Sequence, residues 1–281
     1  MILGSSGMLG RTLTATARKA GYSVIAHAIR APGDEYVRGD LTVPETAKRL
    51  LDEHSPDVVV NLVALTSVDQ CEADIDQAFQ INAGIPTSLA MAASRKTRLI
   101  HVSTDHVYDG CKSAPSRESE TRLRNAYAVT KLAGELPILT QGSVVLRTNF
   151  FGPSYDLRRK SFSDAILNAL EGGAGFSGFH DVFFSPLSMV RLSTEILRVA
   201  EVWCPGLYNL GSRAGLSKLE FARLVATRYG YDPALLKSQS IDDAVLPASR
   251  PRGMVMDVTA FESAYAAILP TLEDEIESLE L

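Results

Sequence analysis

The run Asp57-Val58-Val59-Val60-Asn61-Leu62-Val63-Ala64 is apolar almost without interruption. It lacks the alternation of a strand with one wet face, so it reads as a strand covered on both sides, which is the signature of a parallel sheet. Arg98-Leu99-Ile100-His101-Val102 and Ser143–Thr148 read the same way. Helical patterns separate these runs, including a long one from about Glu72 to Arg95 with Asn82 and Gly84 inside it. Parallel strands joined through helices require right-handed crossovers, so the expected fold is α/β with a doubly wound parallel sheet. At 281 residues the chain accommodates one large domain, or a larger and a smaller one sharing a cleft.

The first strand, Met1-Ile2-Leu3, runs into Gly4-Ser5-Ser6-Gly7-Met8-Leu9-Gly10 and then a helical segment, Arg11 to Ala20, closed by Gly21. A GxxGxxG between a strand and a helix lets the backbone approach a pyrophosphate. The helix N-terminus supplies free N–H groups and partial positive charge. Ser6, Gly7, Met8 and Leu9 are the candidate phosphate contacts; a tight turn of small residues is the plainer alternative. Tyr22 to Ile29 reads as the second strand. No carboxylate stands at its end to take the 2′-OH of NAD, whereas Arg30 suits a 2′-phosphate, which favours NADP(H) over NAD(H). Asp40 and Leu41 follow at the expected adenine edge, where Asp40 equally suits capping of a helix near Pro44. Val63 and Ala64 are small enough to line a cofactor path.

The net charge of -5 and the lack of any Lys/Arg run argue against nucleic acid. The three cysteines, Cys71, Cys111 and Cys204, form neither a metal-binding spacing nor an even disulfide set. No membrane span or leader is apparent, so the expected location is the cytoplasm.

The chemistry gathers in the middle. The strand ending at Val102 leads into Ser103-Thr104-Asp105-His106-Val107-Tyr108-Asp109-Gly110, and ligands bind at such strand ends in parallel sheets. Tyr127-Ala128-Val129-Thr130-Lys131 follows. On a helix the phenol and ammonium lie one turn apart on one face, and the charge is expected to lower the phenol's pKa. Neighbouring strand side chains point to opposite faces, so only one of Ser103 and Thr104 faces the site. Asn82 either supports the site or satisfies core backbone groups.

With these segments in order, the chain resembles the extended short-chain dehydrogenase/reductase superfamily. Within it the chain resembles the dTDP-4-dehydrorhamnose reductases and related sugar-nucleotide reductases. Thr66-Ser67-Val68-Asp69-Gln70-Cys71-Glu72, Leu146–Gly152, Tyr208–Ser212 and Arg250-Pro251-Arg252 carry that narrower similarity. The resemblance implies a Rossmann-type sheet with a smaller C-terminal α/β substrate-binding region. Residues 1–152 would bind the dinucleotide and hold the catalytic groups, and residues 153–281 would mainly bind substrate, with segments near 187–212 returning to the sheet. It implies an NAD(P)H-dependent reduction of a nucleotide-linked 4-keto-6-deoxy sugar. Thr104 would donate to the ketone oxygen, Tyr127 would protonate it, and Lys131 would lower the tyrosine's pKa and hold the nicotinamide ribose. Gly4 completes the cofactor set. Thr66, Asp105, His106, Asn149 and Arg252 form the substrate set, and no metal is implied. A homodimer is compatible with this reading. The rival readings are a sugar-nucleotide dehydratase, weakened by His106 after Asp105, an epimerase, weakened by the resemblance to the reductases, and an NADP-binding regulatory subunit without turnover.

Three further expectations concern the second half. Arg158-Arg159-Lys160 reads as solvated charge, Gly172–Gly178 as a segment too flexible for a regular element, and Leu272–Leu281 as a solvated acidic helix or tail. Leu216–Tyr229 reads as a helix capped by Ser217 and Glu220 and stopped by Gly230.

Overall fold

The computed structural model describes residues 1–30, 33–94, 96–110, 114–154, 160–173 and 175–279. Seven parallel strands form its central sheet. Six of them are β1 (Ile2–Leu3), β2 (Ala26–His27), β3 (Tyr36–Val37), β4 (Val58–Asn61), β5 (Arg98–Thr104) and β6 (Val144–Thr148). The seventh is Gly206–Leu210, and the order runs from it through β6, β5, β4, β1 and β2 to β3. The chain reverses its direction of progress between β1 and β4, and the crevice for ligands opens at that switch point.

The unbroken apolar runs have a simple cause. Val60, Ile100 and Val102 face one core with Leu9, Leu13, Leu192 and Ile196. Val59 and Leu99 face another with Leu50, Ile85, Leu89 and Ile138. Both faces are therefore covered: α1 (Met8–Lys19) and α8 (Met189–Glu201) pack on one side. On the other lie α2 (Pro44–His54), α5 (Ile85–Ala92) and α6 (Ala126–Thr140). Each such Val, Leu or Ile contributes about 1.5–3 kcal/mol of transfer free energy.

A third core, including Phe151, Ile166, Phe184, Phe221 and Val225, gathers α7 (Phe162–Glu171) and α9 (Lys218–Arg228). Helix α9 starts as expected, with Ser217 and Glu220 forming a reciprocal capping box, and Gly230 follows at φ 75°.

Several expectations are corrected. The long helix anticipated over residues 72–95 is broken into α3 (Val68–Ala73), α4 (Ile75–Phe79), a π-helical turn at Gln80–Gly84, and α5. The break falls at Asp74, whose carboxylate takes the Gln77 N–H at 2.9 Å and starts a new helix. The second strand covers only Ala26–His27. Within the glycine-rich segment, Phe176–Phe179 is a strand paired in parallel with Leu236–Gln239. It runs so close to α9 that a β-carbon on Gly178 would lie 2.8 Å from the Leu219 Cα. The acidic terminus does form a helix, α10 (Leu272–Glu277), but it is not simply solvated: Leu272 and Ile276 lie in the third core. Glu275 is buried there, accepting from the Ser188 N–H at 2.7 Å and facing Arg191. Arg158, Arg159 and Cys111 lie outside the described residues.

Candidate active site

Helix α6 is launched by Asn125, whose carbonyl oxygen accepts from the Ala128 N–H at 2.9 Å while its amide donates to the Ser249 carbonyl at 2.9 Å. This cap sets Tyr127 in the first turn and Lys131 one turn on, both buried. The helix lies against the end of β5, where strand alternation separates the two hydroxyls. Ser103 donates to Glu135 at 2.5 Å. Thr104 lies close enough to Tyr127 to lower its phenol, while its hydroxyl donates to Asp105 Oδ1 at 3.4 Å and accepts from the His106 N–H at 3.1 Å. Asn149, just past β6, donates to Asp105 Oδ2 at 2.6 Å. His106 packs its ring edge-on to Tyr127, with centroids 5.4 Å apart. Thr104, Asp105, His106, Asn149, Tyr127 and Lys131 are thus brought together. Thr66 is exposed on the loop after β4.

The electrostatics depart from the simplest expectation for a tyrosine–lysine pair. Burial pushes the Tyr127 phenol upward, opposed by the nearby Thr104 hydroxyl, and the charges of Asp105 and Cys71 raise it further. Lys131 does not produce the anticipated lowering, because its Nζ is turned to the Val102 carbonyl at 2.8 Å and the His101 ring at 3.4 Å. Burial lowers Lys131 to about 8, with Glu135 acting the other way. Burial raises Asp105 to about 6, opposed chiefly by the Asn149 bond. It lowers His106 to about 3, helped by the charges of Lys218 and Arg250, so the near-neutral titration that an ordinary histidine would show is absent there.

The glycine turn is built for close approach. Gly4 holds φ 83°, and a β-carbon on Gly10 would fall 2.2 Å from the Gly4 carbonyl oxygen. Gly7 caps α1 without any side chain, and no acidic residue occupies the first turn, so no side-chain cap satisfies the N–H groups there. Gly4 also abuts Val63: a β-carbon on Gly4 would come 3.3 Å from its Cγ2. Arg30 is exposed, and its charge contributes to holding the Asp40 carboxyl low, after two hydrogen bonds from Thr42. Asp40 closes the Thr42 turn rather than capping α2, whose N-cap is Val43. The Leu41 side chain is buried in the sheet core, so only its backbone faces outward contacts.

Asn82 performs both roles considered for it. Its oxygen accepts from the Leu65 N–H at 2.8 Å, and its amide donates to the Leu65 carbonyl and to Thr130 on α6, each at 3.1 Å. The asparagine therefore satisfies backbone groups of the very loop that borders Tyr127.

A polar cleft of about 550 Å³ adjoins the site, lined by Arg124, Arg250, Arg252, Asp109 and Asp242. Every guanidinium has a carboxylate partner: Arg124 with Asp109, Arg250 with Asp69 at 2.8 Å, Arg252 with Asp242. Among the described residues no group of three or more His, Cys, Asp or Glu is placed to hold a metal ion. No helix among them is long and apolar enough to cross a membrane.

Sequence reasoning missed two features. Lys218, the first residue of α9, sits over Phe162 and Phe184, with Nζ 5.2 and 5.8 Å from the ring centroids. Its charge reaches both Asp105 and His106. Beneath the site, Arg147 of β6 clasps Glu135 through Nε at 3.0 Å and Nη2 at 2.7 Å, both residues being buried. No local spacing signals either feature. Only the register Ser103↔Arg147 across β5 and β6 hints at the second.

A family model described as RmlD substrate binding domain matches residues 1–279. A probable low-salt glycan biosynthesis reductase of Haloferax volcanii is 29% identical, covering 99% of this chain and 96% of its own length. A dTDP-4-dehydrorhamnose reductase of Mycobacterium tuberculosis is 30% identical over 96% of this chain and 88% of its own. The crystal structure of a dTDP-4-dehydrorhamnose reductase from Clostridium acetobutylicum superposes with a TM-score of 0.87 at 25% identity, covering 98% of this chain and 96% of that one. By a match that runs nearly from end to end, on a sheet of the expected topology, the chain belongs to the RmlD substrate binding domain family.

Proposed function

We propose that this protein is a cytoplasmic reductase of a nucleotide-linked 4-keto-6-deoxy sugar, dependent on a nicotinamide dinucleotide and preferring NADP(H) to NAD(H). The observation that supports the reading is the meeting of Thr104 and Tyr127 at the C-terminal end of β5, with Lys131 one turn further along α6. Two hydroxyls side by side suit a single carbonyl oxygen that meets both. The reductase names of the similar proteins support the same chemistry.

The residues present fit the dinucleotide. The cradle at Gly4 and Gly10 admits no β-carbon at the second position, and the uncapped first turn of α1 offers N–H donors to phosphate. Ser6, Gly7, Met8 and Leu9 hold the pyrophosphate in this reading. Arg30 takes a 2′-phosphate, Asp40 and the Leu41 backbone border the adenine, and Val63 and Ala64 line the path inward. The bound nicotinamide supplies hydride. Tyr127 gives its phenolic proton to the ketone oxygen, and Thr104 donates a hydrogen bond to the same oxygen as negative charge develops there. Lys131 holds the ribose. Asp105, His106, Asn149 and Thr66 bound the sugar, and Arg252 the diphosphate in the arginine-lined cleft. Residues 1–152 carry cofactor and catalysis, and residues 153–281 carry mainly substrate, with 187–212 returning to the sheet. A second copy would cover the exposed Ile75, Phe79 and Val129 on the neighbouring helices α4 and α6.

The test follows NADPH absorbance with a panel of nucleotide-linked 4-keto sugars. Turnover with at least one is expected. Tight NADP(H) binding with no turnover on any keto sugar would overturn the reading in favour of a regulatory protein.

A further inference from the structure

Behind Lys131 lies a hydrogen-bond chain whose direction is fixed at one end. The Val63 N–H donates to Asn61 Oδ1 at 3.1 Å. That bond orients the Asn61 amide, so its Nδ2 faces His101 Nδ1 at 3.1 Å and must donate. His101 Nδ1 is therefore the bare nitrogen, and a neutral ring carries its proton on Nε2. The ring is neutral: it is buried, and both burial and the charge of Lys131 hold it well below the ordinary histidine range. Nε2 lies 3.4 Å from Lys131 Nζ.

Two donors cannot satisfy each other across that contact. An ammonium there sets N–H against N–H. An uncharged amine accepts from Nε2–H and still donates to the Val102 carbonyl at 2.8 Å. We propose that His101 is a positioning residue for Lys131: by offering a donor it stabilises the uncharged amine docked on β5 and disfavours the ammonium in that position. The charged form is then favoured only when turned away from His101, so the histidine couples the protonation of Lys131 to where its nitrogen points. In the reductase reading, on which the functional meaning of this rests, Lys131 is thereby a proton acceptor and donor close to neutral pH beneath Tyr127.

The other ionisable groups around Lys131 do not replace His101 in this role. Glu135 on its own helix favours the charged form, but its carboxylate is already held by Arg147 from β6 and Ser103 from β5. Tyr127 lies one turn earlier, and Asp105 at the end of β5 and Cys71 on α3 act on Tyr127. Asn61 on β4 and Asn82 in the π-helical turn carry no charge.

Nitrogen-15 NMR of the free protein tests this without any substrate. In the wild type the His101 ring should show a proton on Nε2 and none on Nδ1, and stay neutral through the range in which an ordinary histidine titrates. The Lys131 Nζ resonance, assigned by its loss in Lys131→Arg, should titrate at about 8. In His101→Gln the side-chain carbonyl can accept from the ammonium, and the titration should move up by about one pH unit, a tenfold shift in the equilibrium. A proton on Nδ1 in the wild type would overturn the proposal whether or not the variant folds. So would an unchanged Lys131 titration in a folded His101→Gln. Neither outcome depends on turnover, so failure of the reductase reading in the keto-sugar assay is seen separately.

Discussion

Ser103 donates a 2.5 Å hydrogen bond to the buried carboxylate of Glu135, which leaves Thr104 as the hydroxyl that reaches Tyr127. The two side chains differ in kind as a result. Thr104→Ala should lower kcat/KM by about 10²-fold, the scale of losing one donor to a developing oxyanion. Ser103→Ala should cost about 1–3 kcal/mol of folding stability with a much smaller change in turnover, since a buried acceptor loses a partner. Steady-state kinetics with urea unfolding separates the two; a larger kinetic loss for Ser103→Ala would reverse the assignment.

Helix α6 crosses the π-helical turn at Gly134. A β-carbon there would lie 2.2 Å from the Asn82 carbonyl oxygen, a backbone atom with little room to move. Gly134→Ala should therefore destabilise the protein by about 1–3 kcal/mol, the usual cost of overpacking. Because Asn82 holds the Leu65 loop beside Tyr127, KM should rise as well. Thermal melting and kinetics on the same preparation check both.

Asp105 gives a pH dependence of defined sign. Its carboxyl is raised to about 6 in the folded chain, against about 3.9 when unfolded, so folding favours the protonated form. The stability it contributes is complete below about pH 4 and is lost as pH rises to about 6, by at most about 3 kcal/mol. Asp105→Asn should flatten that part of the stability curve. Urea midpoints across pH 4 to 7 should converge on a shallower slope in the variant; an unchanged slope would show that Asp105 does not titrate there.

Arg30 is exposed at the end of β2, where it is offered as the 2′-phosphate partner. Arg30→Ala should weaken NADPH by about 1.5–3 kcal/mol, the worth of a charge-assisted hydrogen bond, and leave NADH nearly untouched. Titration of both cofactors by fluorescence reads this out, and an unchanged preference removes Arg30 from the role.

The parts of this molecule legible in the sequence are those that local chemistry dictates. Val58–Asn61 had to be apolar on both faces because two helical layers cover it, and that requirement is written into consecutive residues. Gly4–Gly10 and the Ser217–Glu220 capping box are equally local. The break at Asp74 was hidden because one residue ended one helix with its backbone N–H and began the next with its carboxylate, without interrupting the polar and apolar pattern. The direction of the Tyr127 shift was hidden too. Helical spacing places Lys131 on the right face but says nothing of the Val102 carbonyl and His101, toward which its nitrogen is turned. Lys218 reaches the site only because α9 folds back beside Phe162 and Phe184.

The central claim is that Tyr127 delivers a proton to a ketone oxygen as hydride is transferred. Tyr127→Phe keeps the ring against His106 and removes only the hydroxyl. The most direct measurement is single-turnover NADPH oxidation on a nucleotide-linked 4-keto sugar by wild type and this variant, with cofactor binding measured in parallel. The account predicts retained NADPH binding and a rate lowered by about 10²–10⁴-fold, the usual worth of general acid catalysis. A variant that binds cofactor and turns over at the wild-type rate would contradict it.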